Sequence, residues 1–155
     1  MKAHAALFSG LIAILLGGYI ASEIVSAIPG PGEISITPPS PDLAPDVAAL
    51  SGAWETVGGA VGPHRVVVER IDETWATILY AWPDHPAGHS KGGWQRVSAR
   101  VLGHGELRWG YPVRFTLRIA EDGATLESKV ERAGAAAMTT LKRLEPARLA
   151  AGPTL

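Results

Sequence analysis

The chain has 155 residues, of which 46% are hydrophobic and 19% charged, and its formal net charge is −1. This balance is typical of one folded domain with additional segments, and it excludes a fully disordered chain. A near-neutral charge without a basic stripe argues against nucleic acid as a partner. Cysteine is absent, which excludes disulfides, thiolate metal sites, cysteine nucleophiles and a lipoprotein anchor.

Residues 1–27 have the pattern of an export segment. Lys2 provides a positive start, an uncharged and mostly apolar run follows from Ala5 to Ala21, and small residues precede a predicted cleavage after Ala27. The run is about 17 residues long, at the lower limit for crossing a bilayer, so an uncleaved membrane anchor is the alternative to a signal peptide. Both readings predict an exported protein, periplasmic or secreted, and the second attaches it to the inner membrane.

Residues 28–49 are predicted to form a proline-rich linker. Six prolines between Pro29 and Pro45 remove amide donors and favour extended chain, so no packed element is expected there. A proline ligand for a partner protein is the alternative to a spacer. Asp46–Leu50 is predicted to form one helical turn, with Pro45 near its start and Asp46 as its cap.

Residues 50–145 consist of short segments in which apolar and polar residues alternate, separated by Gly, Pro and Asp. Alternation with period two is typical of half-buried strands. The clearest case places Val113, Phe115, Leu117 and Ile119 on one face, and the following Glu121-Asp122-Gly123 is a hairpin signal. About eight strands are predicted, namely Gly52–Val57, His64–Ile71, Trp75–Trp82, Trp94–Leu102, Glu106–Tyr111, Val113–Ile119, a segment with Leu126, Ser128 and Val130, and Ala135–Leu144.

The intervals between these segments are too short for the crossover helices that parallel strands require. The predicted fold is therefore all-β, an antiparallel up-and-down meander of about eight strands that closes into a small barrel and hides its edges. A two-sheet sandwich is the alternative. Residues 146–155 are predicted to be a flexible tail.

Gly52-Ala53-Trp54 resembles the Gly-x-Trp signature on the first strand of lipocalins and related calycin barrels. The resemblance implies that Trp54 closes one end of a barrel and that a basic residue of the last strand lies across its ring. Arg143 occupies that place, with Lys142 as the alternative, and a cation over an indole face is stabilised. The resemblance thus assigns structural roles to Gly52, Trp54 and Arg143. The Thr-Asp-Tyr signature of lipocalins is absent, and the chain also looks like short exported bacterial β-domains of unassigned function.

Five aromatic residues at predicted inward positions are candidates for a ligand-binding cavity: Tyr80, Trp82, Trp109, Tyr111 and Phe115. An eight-stranded barrel either holds one small ligand or fills itself with side chains, so an aromatic core is the alternative. Trp75 and Trp94 fall at strand starts and are predicted to lie at the rim.

The loop after Trp82 contains the residues best suited to chemistry. Asp84, His85 and His89 are of types that bind zinc or copper, but their spacing matches no established site, and no metal is predicted. Ser90 lacks the Gly-x-Ser-x-Gly elbow of a serine hydrolase. No catalytic residue and no cofactor is predicted.

The sequence therefore favours an exported, non-catalytic, lipocalin-like barrel that binds a small apolar or amphipathic ligand in the bacterial envelope. Two alternatives belong to other classes. One is an enzyme, or the accessory β-domain of an exported hydrolase. The other is a structural or interaction module in which the rim tryptophans support association; the pattern does not determine an oligomeric state.

Overall fold

The computed structural model describes residues 34–84 and 91–145. The predicted export segment, the first part of the predicted linker and the predicted tail lie outside the described residues. His85, His89 and Ser90 lie outside them as well.

The described residues form eight strands and one short helix. Each strand pairs antiparallel with the next, and the last strand pairs with the first, so the sheet is a closed up-and-down barrel. This confirms the predicted all-β barrel and excludes the sandwich. The elements are α1 Pro45–Ala48, β1 Gly52–Gly59, β2 Arg65–Ile71, β3 Trp75–Trp82, β4 Gly93–Leu102, β5 Glu106–Trp109, β6 Arg114–Ile119, β7 Thr125–Arg132 and β8 Ala135–Arg143.

The alternation in the sequence accounts for the core. On β6, for example, Leu117 is fully buried while the neighbouring Arg118 is exposed, because successive side chains of a strand point to opposite faces. Burying each large aliphatic side chain contributes roughly 1.5–3 kcal/mol. The fully buried aliphatic residues of the interior cluster are Leu50, Val66, Val68, Ile78, Leu107, Leu117, Leu126 and Leu141.

One end of the barrel is closed by Trp54, Arg143 and α1, and we call it the plugged end. Trp54 is completely buried, and its Nε1 donates a hydrogen bond to the Leu50 carbonyl oxygen at 3.0 Å. Leu43 and Val47, on either side of the start of α1, are buried in the same cluster. The plug therefore combines side chains of the first and last strands with the chain that precedes the first strand.

Arg143 connects the first and last strands to the chain at the plugged end. Its guanidinium carbon lies 4.1 Å from the centroid of the Trp54 ring, and Trp54 and Arg143 are partners in the β1–β8 register. Its Nη1 and Nη2 donate hydrogen bonds of 2.7 Å to the carbonyl oxygens of Ser51 and Ala49. Gly52 has φ +119°, and a Cβ there would lie 2.5 Å from Arg143 Nη1, so this position requires glycine.

The chain before α1 differs from the expectation that prolines prevent packing there. Ile34 and Ile36 pack against a second apolar cluster, formed by Ala53, Val67, Leu79 and Leu144, and the Thr37 N–H donates to the Glu69 carbonyl oxygen at 2.8 Å. The physical reason is that β1–β3 are apolar on their outer face too. An extended, proline-rich chain can cover such a face without making a full ladder of hydrogen bonds.

The predicted helical turn is present but starts one residue earlier. Pro45 is its first residue and Ala44 stands at the N-cap, without a side-chain cap. Asp46 lies in the first turn, where its Oδ1 accepts the Val47 N–H at 2.9 Å. Pro45 at the first helical position costs no hydrogen bond, since an amide N–H there would have no intrahelical partner.

Trp54→Ala is expected to lower the free energy of unfolding by about 3–5 kcal/mol, as truncation of a buried aromatic residue does. The measurement is urea unfolding followed by circular dichroism. Trp75→Ala is the matched control because Trp75 is 50% exposed, and its effect should stay within about 0.5 kcal/mol. Equal effects of the two substitutions would contradict the role given to Trp54.

Candidate ligand site

The opposite end of the barrel carries four inward-facing aromatic residues, and we call it the aromatic end. Tyr80 and Trp82 alternate inward near the end of β3. Trp109 on β5 and Phe115 on β6 are direct partners in the strand register. Trp109 is buried, whereas Tyr80, Trp82 and Phe115 are partly exposed. These four residues were predicted as candidates from the alternation, and the structure brings them together.

Tyr80 is the centre of this aromatic cluster. Its ring centroid lies 5.2 Å from that of Phe115, 5.7 Å from that of Trp82 and 6.3 Å from that of Trp109. The rings of Trp109 and Phe115 stack at 5.1 Å with an interplanar angle of 8°. Offset and tilted pairs of this kind add to the hydrophobic contribution of burial.

Tyr111, the fifth candidate, lies outside the cluster. Its side chain is 97% exposed, because β5 ends at Trp109 and the chain turns through Gly110, which has φ +89°. The sequence pattern treated Tyr111 as the next inward position after Trp109. Gly110 and Pro112 break that alternation, since both residues disrupt regular strand geometry.

His64 belongs to the cluster and was not among the sequence candidates. It is 1% exposed, and its ring centroid lies 5.5 Å from that of Tyr80. The signal was available, because His64 precedes Val66 and Val68 at the same inward spacing. A histidine in register with buried valines is expected to face the core.

The hydrogen bonds of His64 determine its tautomer. Nδ1 lies 2.8 Å from the Gly62 carbonyl oxygen and 3.1 Å from Thr56 Oγ1. A carbonyl oxygen only accepts, so Nδ1 carries the proton and donates it. In the neutral ring, Nε2 is then an acceptor.

Two buried polar atoms of this cluster have no hydrogen-bond partner among the residues described, His64 Nε2 and Trp109 Nε1. The first is an acceptor and the second a donor, and both rings contact Tyr80. Leaving a buried polar group without a partner costs roughly 1–3 kcal/mol. The cluster thus combines an apolar, aromatic wall with one acceptor and one donor that are available to a third group.

The buried part of the cluster carries no charge at neutral pH. Burial lowers the pKa of the His64 imidazole, outweighing the opposite effect of its hydrogen bond to Gly62. Burial also raises the pKa of the Tyr80 hydroxyl to about 12. The two buried carboxylates of the described barrel, Glu55 and Glu69, form ion pairs with Arg65 and Arg96, and all four residues face away from the interior.

The remaining candidates do not assemble into a chemical site. Trp75 and Trp94 are 50% and 42% exposed on the outer face and lie at opposite ends of the barrel. The Asp84 carboxylate accepts a hydrogen bond from the Gly92 N–H. Over residues 34–84 and 91–145, His, Asp and Glu form no group of three that could hold a metal ion. No helix among the same residues is long and apolar enough to cross a bilayer.

Comparisons with known proteins assign no family. No protein-family model matches the chain, and no curated protein matches it significantly. The closed eight-stranded barrel is compatible with the lipocalin resemblance of Gly52 and Trp54.

The burial of His64 predicts a specific pH dependence of stability. In the unfolded chain, His64 becomes protonated below about pH 6.5. In the folded protein, burial lowers the pKa of His64, so its protonation requires a lower pH. The contribution of His64 is therefore complete above about pH 6.5 and is lost as the pH falls below it. Urea unfolding at pH 7.5 and 5.5 should show a drop in the free energy of unfolding, and this drop should be smaller in His64→Gln.

His104→Gln is the control for this experiment, because His104 is exposed in the turn between β4 and β5. That variant should keep the pH dependence of the unsubstituted protein. A His64→Gln protein with the same drop in stability would show that the buried imidazole is not its source.

Proposed function

We propose that this protein is an exported β-barrel that binds a small, uncharged amphipathic molecule at its aromatic end. The observation that carries the proposal is the pair of unpartnered polar atoms, His64 Nε2 and Trp109 Nε1, inside an otherwise aromatic cluster. Export is supported by Lys2 and the apolar run that follows it.

The aromatic rings indicate that most of the ligand is apolar. Small-molecule sites are mostly apolar, with a few polar groups that fix orientation, and barrels of eight strands include some that hold one small ligand. Tyr80, Trp82 and Phe115 are partly exposed, so a ligand can reach them from solvent. The plugged end gives no comparable route, because Trp54 and Leu50 are fully buried there.

The two polar atoms indicate which polar group the ligand carries. A hydroxyl group can act as the donor that His64 Nε2 requires or as the acceptor that the Trp109 N–H requires. A carboxylate or an ammonium would have to lose its hydration beside neutral groups, at a much larger cost. An aryl or alkyl alcohol therefore fits the cluster better than a fatty acid or an amine.

Equilibrium dialysis with three matched probes tests this proposal. At neutral pH, 2-naphthol should bind more tightly than naphthalene, and 2-naphthoate should bind most weakly. Trp109→Phe removes the N–H donor and should weaken 2-naphthol binding about 2–10-fold, the value of one hydrogen bond, while naphthalene binding stays nearly unchanged.

Trp94→Phe is the matched control, since Trp94 lies on the outer face and is 42% exposed; it should bind all three probes like the unsubstituted protein. Binding of 2-naphthoate as tight as that of 2-naphthol would contradict the neutral-ligand assignment. If none of the three probes showed saturable binding, the aromatic cluster would be part of the packed core and not a ligand site.

A further inference from the structure

The connections at the two ends of the barrel differ in charge. At the plugged end, residues 42–51, 72–74, 103–105, 120–124 and 144–145 contain seven Asp or Glu and no Lys or Arg. Exposed examples are Asp72, Glu73, Glu121 and Asp122 at the hairpin tips. This end presents a negative surface.

The aromatic end has no such surface. Its described connections, residues 60–64, 83–84, 91–92, 110–113 and 133–134, contain one acidic residue, Asp84, and one basic residue, Lys91. Two more exposed cations, Arg114 and Arg132, lie at strand ends beside these connections. Glu131, which precedes Arg132 in β7 and is the register partner of Arg114, is paired with Lys129 at 2.9 Å.

Large apolar side chains are exposed at the same end. Tyr111 is 97% exposed, Val57 is 49% exposed and Trp94 is 42% exposed. The Arg96 guanidinium, which is paired with the Glu69 carboxylate, lies 5.6 Å from the Trp94 ring. Tryptophan and tyrosine beside basic residues are typical of surfaces that sit at the boundary between lipid and water.

The length of chain before the barrel adds an independent constraint. Only residues 28–33 separate the predicted membrane segment from Ile34, which packs on the barrel. Fully extended, that connection spans about 25 Å. If residues 1–27 stay in the membrane, the barrel cannot move further than this from the bilayer.

We infer that the aromatic end docks on the surface of an anionic lipid bilayer, with Tyr111 and Trp94 at the interface and Arg114 and Arg132 facing the phosphates. The negative plugged end then points away from the membrane. Charge favours anionic lipid over a symmetric pairing of two aromatic ends, because that pairing would bring like charges together. Docking in this orientation lets an amphipathic ligand pass between the bilayer and the aromatic cluster, but docking itself does not depend on ligand binding.

The absence of cysteine permits a direct test in the full chain. Ala60→Cys at the aromatic end and Ala124→Cys at the plugged end are a matched pair, since both alanines are exposed in connections. Each is labelled with a nitrobenzoxadiazole fluorophore, and the full chain is incorporated into vesicles of phosphatidylcholine with or without phosphatidylglycerol. The readout is the rate at which external dithionite bleaches the label.

The label at position 60 should be protected on anionic vesicles, less so at high salt or on neutral vesicles, and the label at position 124 should stay accessible. Arg132→Gln should lower the protection at position 60 by about fivefold, the effect of one basic residue near an anionic surface. Lys142→Gln, which removes an exposed cation near the plugged end, should not change it.

Three results would overturn the inference. Equal accessibility of both labels would show that the barrel does not dock. Protection at position 124 would show that the other end docks. Protection at position 60 without vesicles, together with faster sedimentation, would assign the surface to a second copy of the chain. Each of these is measured without naphthol, so failure here is distinguishable from failure of the proposed ligand site.

Discussion

The contact between Arg143 and Trp54 stabilises the seam where the first and last strands close the barrel. It joins the last strand to the first, and its two hydrogen bonds attach both to the chain that follows α1. A sheet that closes in this way has no unpaired edge, which removes the usual route to edge-to-edge aggregation. The same contact explains the glycine at position 52, because the guanidinium occupies the space that a side chain would need.

Closing one end in this manner makes the two ends of the barrel different. At the plugged end the Trp54 N–H has a partner in the Leu50 carbonyl, and apolar residues from α1 complete the core. At the aromatic end, His64 Nε2 and Trp109 Nε1 are buried without partners among residues 34–84 and 91–145. Buried polar groups in native proteins are nearly always satisfied, and the proposed ligand site rests on this difference between the two ends. The distribution of charge over the connections follows the same division.

Two departures from the sequence predictions have simple physical causes. In the sequence, Tyr111 continues the alternation of β5. In the structure, Gly110 turns the backbone, and the Tyr111 ring lies in solvent. The proline-rich segment was expected to stay unpacked, yet Ile34 and Ile36 cover the outer apolar face of β1–β3. In the first case local backbone geometry overrides a side-chain pattern. In the second, the extended conformation that proline imposes is compatible with lying along a sheet.

The eight strands, their order and the inward positions of Tyr80, Trp82, Trp109 and Phe115 could be predicted from the sequence, because alternation along a strand is a local property. It also indicated Trp54 and Arg143 as partners, through a resemblance in their positions. Only the tertiary structure decided that His64 of the β1–β2 connection meets Tyr80 of β3 and that Trp109 of β5 lies beside them. These residues are far apart in the chain and meet only when the barrel closes. Whether a buried polar atom has a partner depends on every strand around it, and no local pattern contains that information.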